Sequence, residues 1–405
     1  MLERFGKILL QLLTTRVAWP VLVSVGLLCM TSVLAINVAF PEKADRPQVE
    51  VGTQSAAPQA VAVAAHGGIA RKQQLYIGLG VGVLLLALVP HYQWIGRLSY
   101  GVFGAALVML VIVLFTEPIN GSRRWFSLGK AFQLQPSELT KLAYVLVMAW
   151  FLRYRKDIRE FYGLILPICI TALPCALIIV EPDIGTALLF PLALFAMLIA
   201  AGARLRHMAF LAMVVAVALP TYYTTLMPQY AKNRIIAMMP SAQNDARHFL
   251  GIGYHAYMAK VAMGSGGLAG EASEGSYNIQ HGLLPEAHTD FIYACIGAEW
   301  GFVGCVLVML LYLAFFAAAT EIAASTKDPF GRLLAIGIAS MITCQALINM
   351  AMTMGLGPVV GIALPFVSYG GSSLLTNMLA AGILLNISVR RQGKSKLARV
   401  DYAWA

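Results

Sequence analysis

Charged residues are scarce in this sequence. Only 12% of the 405 residues are Asp, Glu, Lys or Arg, whereas 59% are apolar and the mean hydropathy is +0.74. Soluble domains carry about a quarter charged residues. Several apolar runs reach the length of about 20 residues that crosses the hydrocarbon core of a bilayer. The composition therefore excludes an ordinary soluble protein and predicts a multi-pass membrane protein.

The sequence also lacks the usual patterns of metal and nucleotide sites. Its cysteines lie inside apolar runs without a CxxC pair, and its histidines are scattered without the spacing of metal ligands. These absences argue against a disulfide framework and against a structural zinc site. The glycine-rich stretch 264–270 has no Lys-Ser/Thr after it, which argues against a nucleotide P-loop. Its backbone amides remain candidates for binding a pyrophosphate.

The lengths of the apolar runs predict an all-α polytopic protein with about ten transmembrane helices in a single domain, residues 1–405. The first run follows several cations, as a secretory signal does, but its length and the lack of a cleavage site predict a retained anchor. The predicted spans are 19–39, 75–92, 98–115, 139–152, 162–180, 186–201, 208–226, 291–320, 333–354 and 372–389.

The positions of Lys and Arg predict the orientation, because short cytoplasmic loops are enriched in these residues. An N-terminus inside the cell places every second turn in the cytoplasm, together with a basic tail at 390–405. The outer face receives an insert at 40–72, predicted to be flexible, and a large loop at 227–289 between helices seven and eight. The net charge of +10 then follows from topology and anionic lipid, so no nucleic-acid partner is expected. The cytoplasmic cations are Arg97, Arg153, Arg155, Lys156, Arg159, Arg204, Arg206, Lys327, Arg332, Arg390, Arg391, Lys394, Lys396 and Arg399.

Ionisable residues at the predicted outer ends of the spans are the candidates for chemistry, since burying them at membrane depth is costly. Glu138 and Lys141 are three residues apart on the first turn of a helix that begins at Pro136. They predict either a structural salt bridge or the lining of a polar cavity. Trp125 is either an interfacial belt residue or part of that cavity.

Two aspartates precede predicted helices. Asp183 is expected to cap the helix that follows it. Asp290 fits two roles, a helix cap or a general base, because a partly desolvated carboxylate can have a raised pKa.

At these positions the sequence resembles the shape, elongation, division and sporulation family, which includes the RodA, FtsW and SpoVE branches. The C-terminal signature, Asn349 and residues 357–373, is more similar to the RodA branch. The resemblance extends from about Tyr76 to Asn386. The other motifs that carry it are Gly121-Ser122-Arg123-Arg124-Trp125, Gln135-Pro136-Ser137-Glu138, Pro182-Asp183-Ile184-Gly185-Thr186, Gly264-Ser265-Gly266-Gly267 and Leu284-Pro285-Glu286-Ala287-His288-Thr289-Asp290-Phe291.

The resemblance implies a peptidoglycan glycosyltransferase of the bacterial inner membrane that polymerises lipid II on its outer side, for elongation or for division. Asp290 matches the essential aspartate of the family, and Glu138 and Lys141 match its cavity pair. Ser368 and Tyr369 of the C-terminal signature are expected at the same cavity. The implied partners are a class B penicillin-binding protein with transpeptidase activity and other proteins of the elongation or division complex.

In this chemistry a sugar hydroxyl attacks, and a pyrophosphate carrying a polyprenyl lipid leaves. Asp290 would accept the proton of the hydroxyl. The charge that develops on the leaving group requires cations, and the candidates in falling order are Lys141, Arg124, Arg234 and Lys260. A divalent cation such as Mg²⁺ or Mn²⁺ is an open alternative, and no other cofactor is implied.

A transporter that flips lipid II outward is the alternative function, because a ten-helix bundle with a polar cavity also suits translocation. The motifs cluster on the predicted outer face rather than on both sides of the membrane centre. This distribution favours the enzyme.

Overall fold

The computed structural model of the chain is almost entirely helical. It describes residues 14–39, 68–118, 122–128, 132–225, 254–270 and 286–390, with isolated positions 6, 11, 12, 232 and 284. The helices in this part of the chain are α1 (Trp19–Ala39), α2 (Ile69–Ala87), α3 (Tyr92–Arg97), α4 (Ser99–Val113), α5 (Pro136–Leu152), α6 (Ile165–Val180), α7 (Ile184–Ala201), α8 (Leu205–Thr225), α9 (Tyr254–Ser265), α10 (Ile292–Ser325), α11 (Pro329–Thr353) and α12 (Gly371–Arg390). A two-stranded antiparallel sheet, β1 (Phe126–Leu128) and β2 (Phe132–Leu134), precedes α5.

The lengths and composition of these helices confirm the all-α polytopic fold class. Within the described ranges, six helices are long and apolar enough to cross a membrane, namely those ending at Ala39, Val180, Ala201, Ser325, Thr353 and Arg390. Two shorter apolar helices, Ser99–Val113 and Leu205–Val217, accompany them. Among the described residues, ten helices contain 15 residues or more, in agreement with the predicted count of about ten.

One predicted boundary is wrong, and one predicted loop contains a helix. Helix α2 begins at Ile69 rather than at residue 75, so residues 69–72 of the predicted flexible insert are helical. Hydropathy missed this turn because it is polar, but Gln73 is fully buried and donates a hydrogen bond of 3.0 Å to Ser32 Oγ on α1. Helix α9 interrupts the predicted loop 227–289. Residues 40–67, most of that loop and the tail 391–405 lie outside the described residues.

The bundle has two distinct ends. At one end, Asn386 Nδ2 donates to the carbonyl oxygens of Ala87 (2.7 Å) and Pro90 (2.6 Å), and the rings of Tyr92 and Phe330 stack. This contact brings together turns that were predicted to share the cytoplasmic side. At the other end, α2 and the segment before α12 meet, since Gln73 Nε2 also donates to Ser368 O at 3.3 Å.

Helix α5 lies at the centre of the bundle. Fourteen of its 17 residues are buried. Pro136 occupies the start of the helix, as predicted, because its fixed φ and missing N–H suit that position. The helix therefore carries its first turn, with Glu138 and Lys141, into the protein interior at the second end.

Candidate active site

The predicted pairing of Glu138 and Lys141 is present and buried. Lys141 Nζ lies 2.9 Å from Glu138 Oε1, and the two residues are 4% and 5% exposed. The same ammonium donates to Gln345 Oε1 of α11 at 2.6 Å. Gln345 Nε2 in turn donates to Ala363 O at 2.8 Å. The ion pair is thus connected to residues 357–370, which we name the signature segment.

The signature segment also holds the main chain around Asp290. Asn349 Nδ2 donates to Asp290 O (2.8 Å) and to Ile362 O (2.7 Å). Asn349 is fully buried, so its amide joins the two segments in the protein interior.

Ser368 and Tyr369 secure the residues just before Asp290. Ser368 Oγ donates to Thr289 O at 2.5 Å and accepts from the N–H of Leu364 at 2.7 Å. The N–H of Tyr369 donates to His288 O at 2.9 Å. Both predicted residues are therefore at the site, where these contacts fix its backbone.

The Asp290 carboxylate lies beside the signature segment and is half-buried. A methyl group added to Gly361 would be 3.3 Å from Asp290 Oδ2, and Gly361 has a left-handed φ of +69°. The N-cap position of α10 is Phe291, so Asp290 does not occupy the capping position considered from the sequence. The other role considered from the sequence, a general base, stays a prediction.

A second group of polar residues surrounds the turn between α6 and α7. Asp183 caps α7 as predicted, accepting from Thr186 N (3.2 Å) and Thr186 Oγ1 (2.9 Å). Arg124 Nε donates to Glu181 O at 2.7 Å, and its guanidinium also donates to Pro182 O.

This turn packs against the signature segment. A methyl group at Gly185 would lie 2.8 Å from Val360 O, so only glycine permits the approach. Burial, aided by the neighbouring Asp183 and opposed by Arg124, raises the pKa of Glu181 to about 8.

The remaining predicted residues are in different settings. Trp125 is half-buried beside Arg124. Lys260 of α9 lies against Gly355 at the C-terminal end of α11, where a cation interacts favourably with the helix dipole. Arg234 lies outside the described residues.

The glycine-rich stretch packs against a break in helix α10. Helix α10 is broken at Gly301, whose φ is +64°. The N–H groups of the next two residues, Phe302 and Val303, donate to the carbonyl oxygens of Gly267 (2.9 Å) and Leu268 (3.1 Å). The stretch therefore satisfies the amides that the break leaves unpaired.

We expect Gly266→Ala to destabilise the protein and Gly264→Ala to be tolerated. A methyl group at Gly266 would lie 2.1 Å from Gly297 O, so the backbone must shift, at a cost of about 1–3 kcal/mol. At Gly264 no atom of the described residues lies within 4 Å of an added methyl group. Unfolding temperatures in detergent test this expectation, and equal temperatures for the two variants would contradict the packing role.

Two buried amides were not selected as site residues from the sequence. Gln345 and Asn349 are four residues apart on one face of α11, and each binds the signature segment. Polar side chains inside an apolar span are a signal for such a role. Among the described residues, no group of three or more His, Cys, Asp or Glu side chains is arranged to hold a metal ion.

Comparison with known proteins decides the family. The family model for FtsW, RodA and SpoVE, described as "Cell cycle protein", matches residues 49–393. The chain belongs to the FtsW/RodA/SpoVE family.

Relatives of this family member carry transferase names. The "Probable peptidoglycan glycosyltransferase FtsW" of Trichlorobacter lovleyi is 37% identical over 326 residues, 78% of this chain and 83% of the relative. The "Peptidoglycan glycosyltransferase MrdB" of Escherichia coli K12 is 32% identical over 323 residues, 80% of this chain and 86% of the relative. The predicted enzyme class, glycosyltransferase, is confirmed.

Solved structures agree with this assignment. The rod shape determining protein RodA of Thermus thermophilus has a TM-score of 0.63 and 26% identity, covering 93% of this family member and 98% of RodA. A structure described as "Structural coordination of polymerization and crosslinking by a peptidoglycan synthase complex" has a TM-score of 0.74, 27% identity and the same coverage. The shared architecture includes nearly the whole chain.

Proposed function

We propose that this glycosyltransferase polymerises lipid II into glycan strands at the outer face of the bacterial inner membrane. One observation carries the proposal: the half-buried Asp290 carboxylate lies beside a segment that Gln345 links by hydrogen bonds to the buried Glu138–Lys141 pair. A carboxylate whose main chain is held in place is suited to act as a general base in glycosyl transfer from a diphosphate donor.

Asp290 is the proposed general base. The hydroxyl of the acceptor sugar has a pKa far too high for ionisation at neutral pH, so a carboxylate must take its proton during attack on the anomeric carbon of the donor. The contacts from Asn349, Ser368 and Tyr369 are made to main-chain oxygens of residues 288–290. They fix the backbone that carries the carboxylate.

Arg124 is the cation proposed to meet the leaving diphosphate. It is half-buried, whereas Lys141 is 4% exposed and already donates to Glu138 and Gln345. We therefore place Arg124 before Lys141, which the sequence had placed first. Lys141 instead positions the signature segment through Gln345, and a guanidinium provides the paired donors that phosphate oxygens bind well.

A transpeptidase of class B is the proposed partner. The structural neighbour named for coordinated polymerization and crosslinking supports this pairing. A relative named FtsW and a solved structure named rod shape determining protein RodA both match, so the elongation role and the division role are both compatible with the family assignment.

The direct test is glycan synthesis by the purified chain, with and without a class B transpeptidase, from lipid II in detergent or liposomes. We expect strands longer than a single disaccharide, detected by gel electrophoresis of labelled product. Failure to lengthen glycan in both preparations, with the chain folded, would overturn the proposed function.

The proposed orientation predicts the behaviour of topology reporters. The motif-bearing end of the bundle is placed outside the cell, and the end with Arg153, Arg204 and Arg390 is placed inside. A reporter active only outside should work when fused near Gly275, and one active only inside should work near Lys156 or Lys394. Reversed activities would show that the motifs face the cytoplasm.

A further inference from the structure

Glu181 is a buried carboxyl group that the proposed reaction does not use. The residue is fully buried in the turn between α6 and α7. In the described part of the chain, neither of its carboxyl oxygens has a hydrogen-bond partner. An ionised carboxylate in such a position would bear a large desolvation cost.

Arg124 binds the backbone of this turn rather than the carboxylate. Its guanidinium donates to the carbonyl oxygens of Glu181 and Pro182. A charged carboxylate is a stronger acceptor than a carbonyl group, so an ionised Glu181 would compete for the same donors. The observed contacts are therefore those expected when Glu181 is neutral.

The surroundings of Glu181 favour the neutral form. Burial contributes most to its raised pKa, and the charges that act on it are Asp183 and Arg124. Asp183 is itself held by Thr186 and by Gln135 Nε2, the latter at 3.4 Å. Residues 357–362, which pack on the turn through Gly185, contain no titratable side chain.

We propose that Glu181 is a positioning residue that works as an uncharged acid and keeps Arg124 on the backbone of the turn, directed at the diphosphate of the substrate. Ionisation of Glu181 would pull the guanidinium away from the carbonyl oxygens into a salt bridge. This inference rests on the proposed function, because it assigns Arg124 to the leaving diphosphate.

The first test compares the pH dependence of lipid II polymerisation in wild type and Glu181→Gln, an isosteric change that mimics the neutral acid. With a pKa of about 8, only about one Glu181 in eleven is neutral at pH 9. We expect the two rates to agree within about twofold at pH 6.5 and the wild type to fall about tenfold below the variant at pH 9. Glu117→Gln, at an exposed position, is the control and should follow the wild type.

The second test follows the unfolding temperature of the same proteins from pH 5 to pH 9. Because the pKa of folded Glu181 lies above its ordinary value of 4.5, its stabilising contribution is complete below about pH 4.5 and is lost as the pH rises through about 8. The wild type should therefore lose stability relative to Glu181→Gln over this range.

The two tests separate failure of the inference from failure of the proposed function. A constant rate ratio across pH, or a constant difference in unfolding temperature, would overturn the role of Glu181 while glycan synthesis itself remained. If the wild type makes no glycan, the proposed function fails and the positioning role for the diphosphate fails with it. The unfolding series would then still show whether Glu181 is a neutral acid.

Discussion

Asp290→Asn is expected to lower the rate of lipid II polymerisation by about a hundredfold to ten-thousandfold, the usual consequence of removing a positioned general base. Asn has nearly the same size as Asp but cannot accept a proton from the attacking hydroxyl. The fold should survive, because Asn349 and Ser368 bind main-chain oxygens at positions 290 and 289, which the substitution leaves in place. Glycan synthesis in single-turnover and steady-state assays measures the effect.

Asp157→Asn is the matched control for this experiment. Asp157 pairs with Arg155 at 2.6 Å on the predicted cytoplasmic side, and both side chains are about a third exposed. Losing such a surface pair costs about 1 kcal/mol or less and should leave glycan synthesis intact. If the Asp290 variant is inserted, binds its partner and polymerises at the wild-type rate, Asp290 is not the base.

Comparing the wild type with Asp290→Asn also distinguishes a glycosyltransferase from a flippase. A flippase would translocate lipid II across vesicle membranes and tolerate Asp290→Asn, since translocation requires no general base. The proposed mechanism instead predicts loss of glycan in a protein that still binds substrate. Both activities can be measured on one preparation.

Neutralising one member of the Glu138–Lys141 pair is expected to have the second large effect. Glu138→Gln or Lys141→Met leaves one buried charge without its partner, which costs about 3–5 kcal/mol. Exchanging the two residues retains a compensated pair. The exchanged protein should still be less stable than the wild type, because a glutamate at position 141 cannot donate to Gln345 Oε1 as the ammonium does.

Unfolding temperature and glycan synthesis are measured for the wild type, the exchanged protein and the two single variants. We expect both single variants to be less stable and less active than the exchanged protein, which should itself fall below the wild type. Loss of the Lys141 contact to Gln345 should also loosen Ala363 and the signature segment. Wild-type behaviour of both single variants would contradict a buried cavity pair.

Several features of the site follow from local sequence alone. The spacing of Glu138 and Lys141 places them on one helical face, and Asp183 caps α7 through residues only three positions away. The start of α5 at Pro136 follows from the geometry of proline. The membrane class likewise follows from composition, because long apolar runs satisfy the bilayer without reference to any tertiary contact.

Other features depend on contacts between distant segments. Gln73 lies in a polar turn that hydropathy excludes from a span, yet its hydrogen bonds to Ser32 and Ser368 bury it. The glycine-rich stretch resembles an anion-binding loop in sequence. In the structure its carbonyl oxygens accept hydrogen bonds from the two N–H groups that follow the break at Gly301. The function of such residues is set by neighbours that local patterns do not specify.

The sequence by itself determined the membrane class, the order of the spans and the residue types available for catalysis, because these depend on hydropathy and spacing along one chain. Only the tertiary structure decided which polar groups meet. Asn349 lies 59 residues from Asp290, and Lys141 lies 204 residues from Gln345. Packing of the signature segment against these elements fixes the main chain at Asp290 and connects Lys141 to it through Gln345.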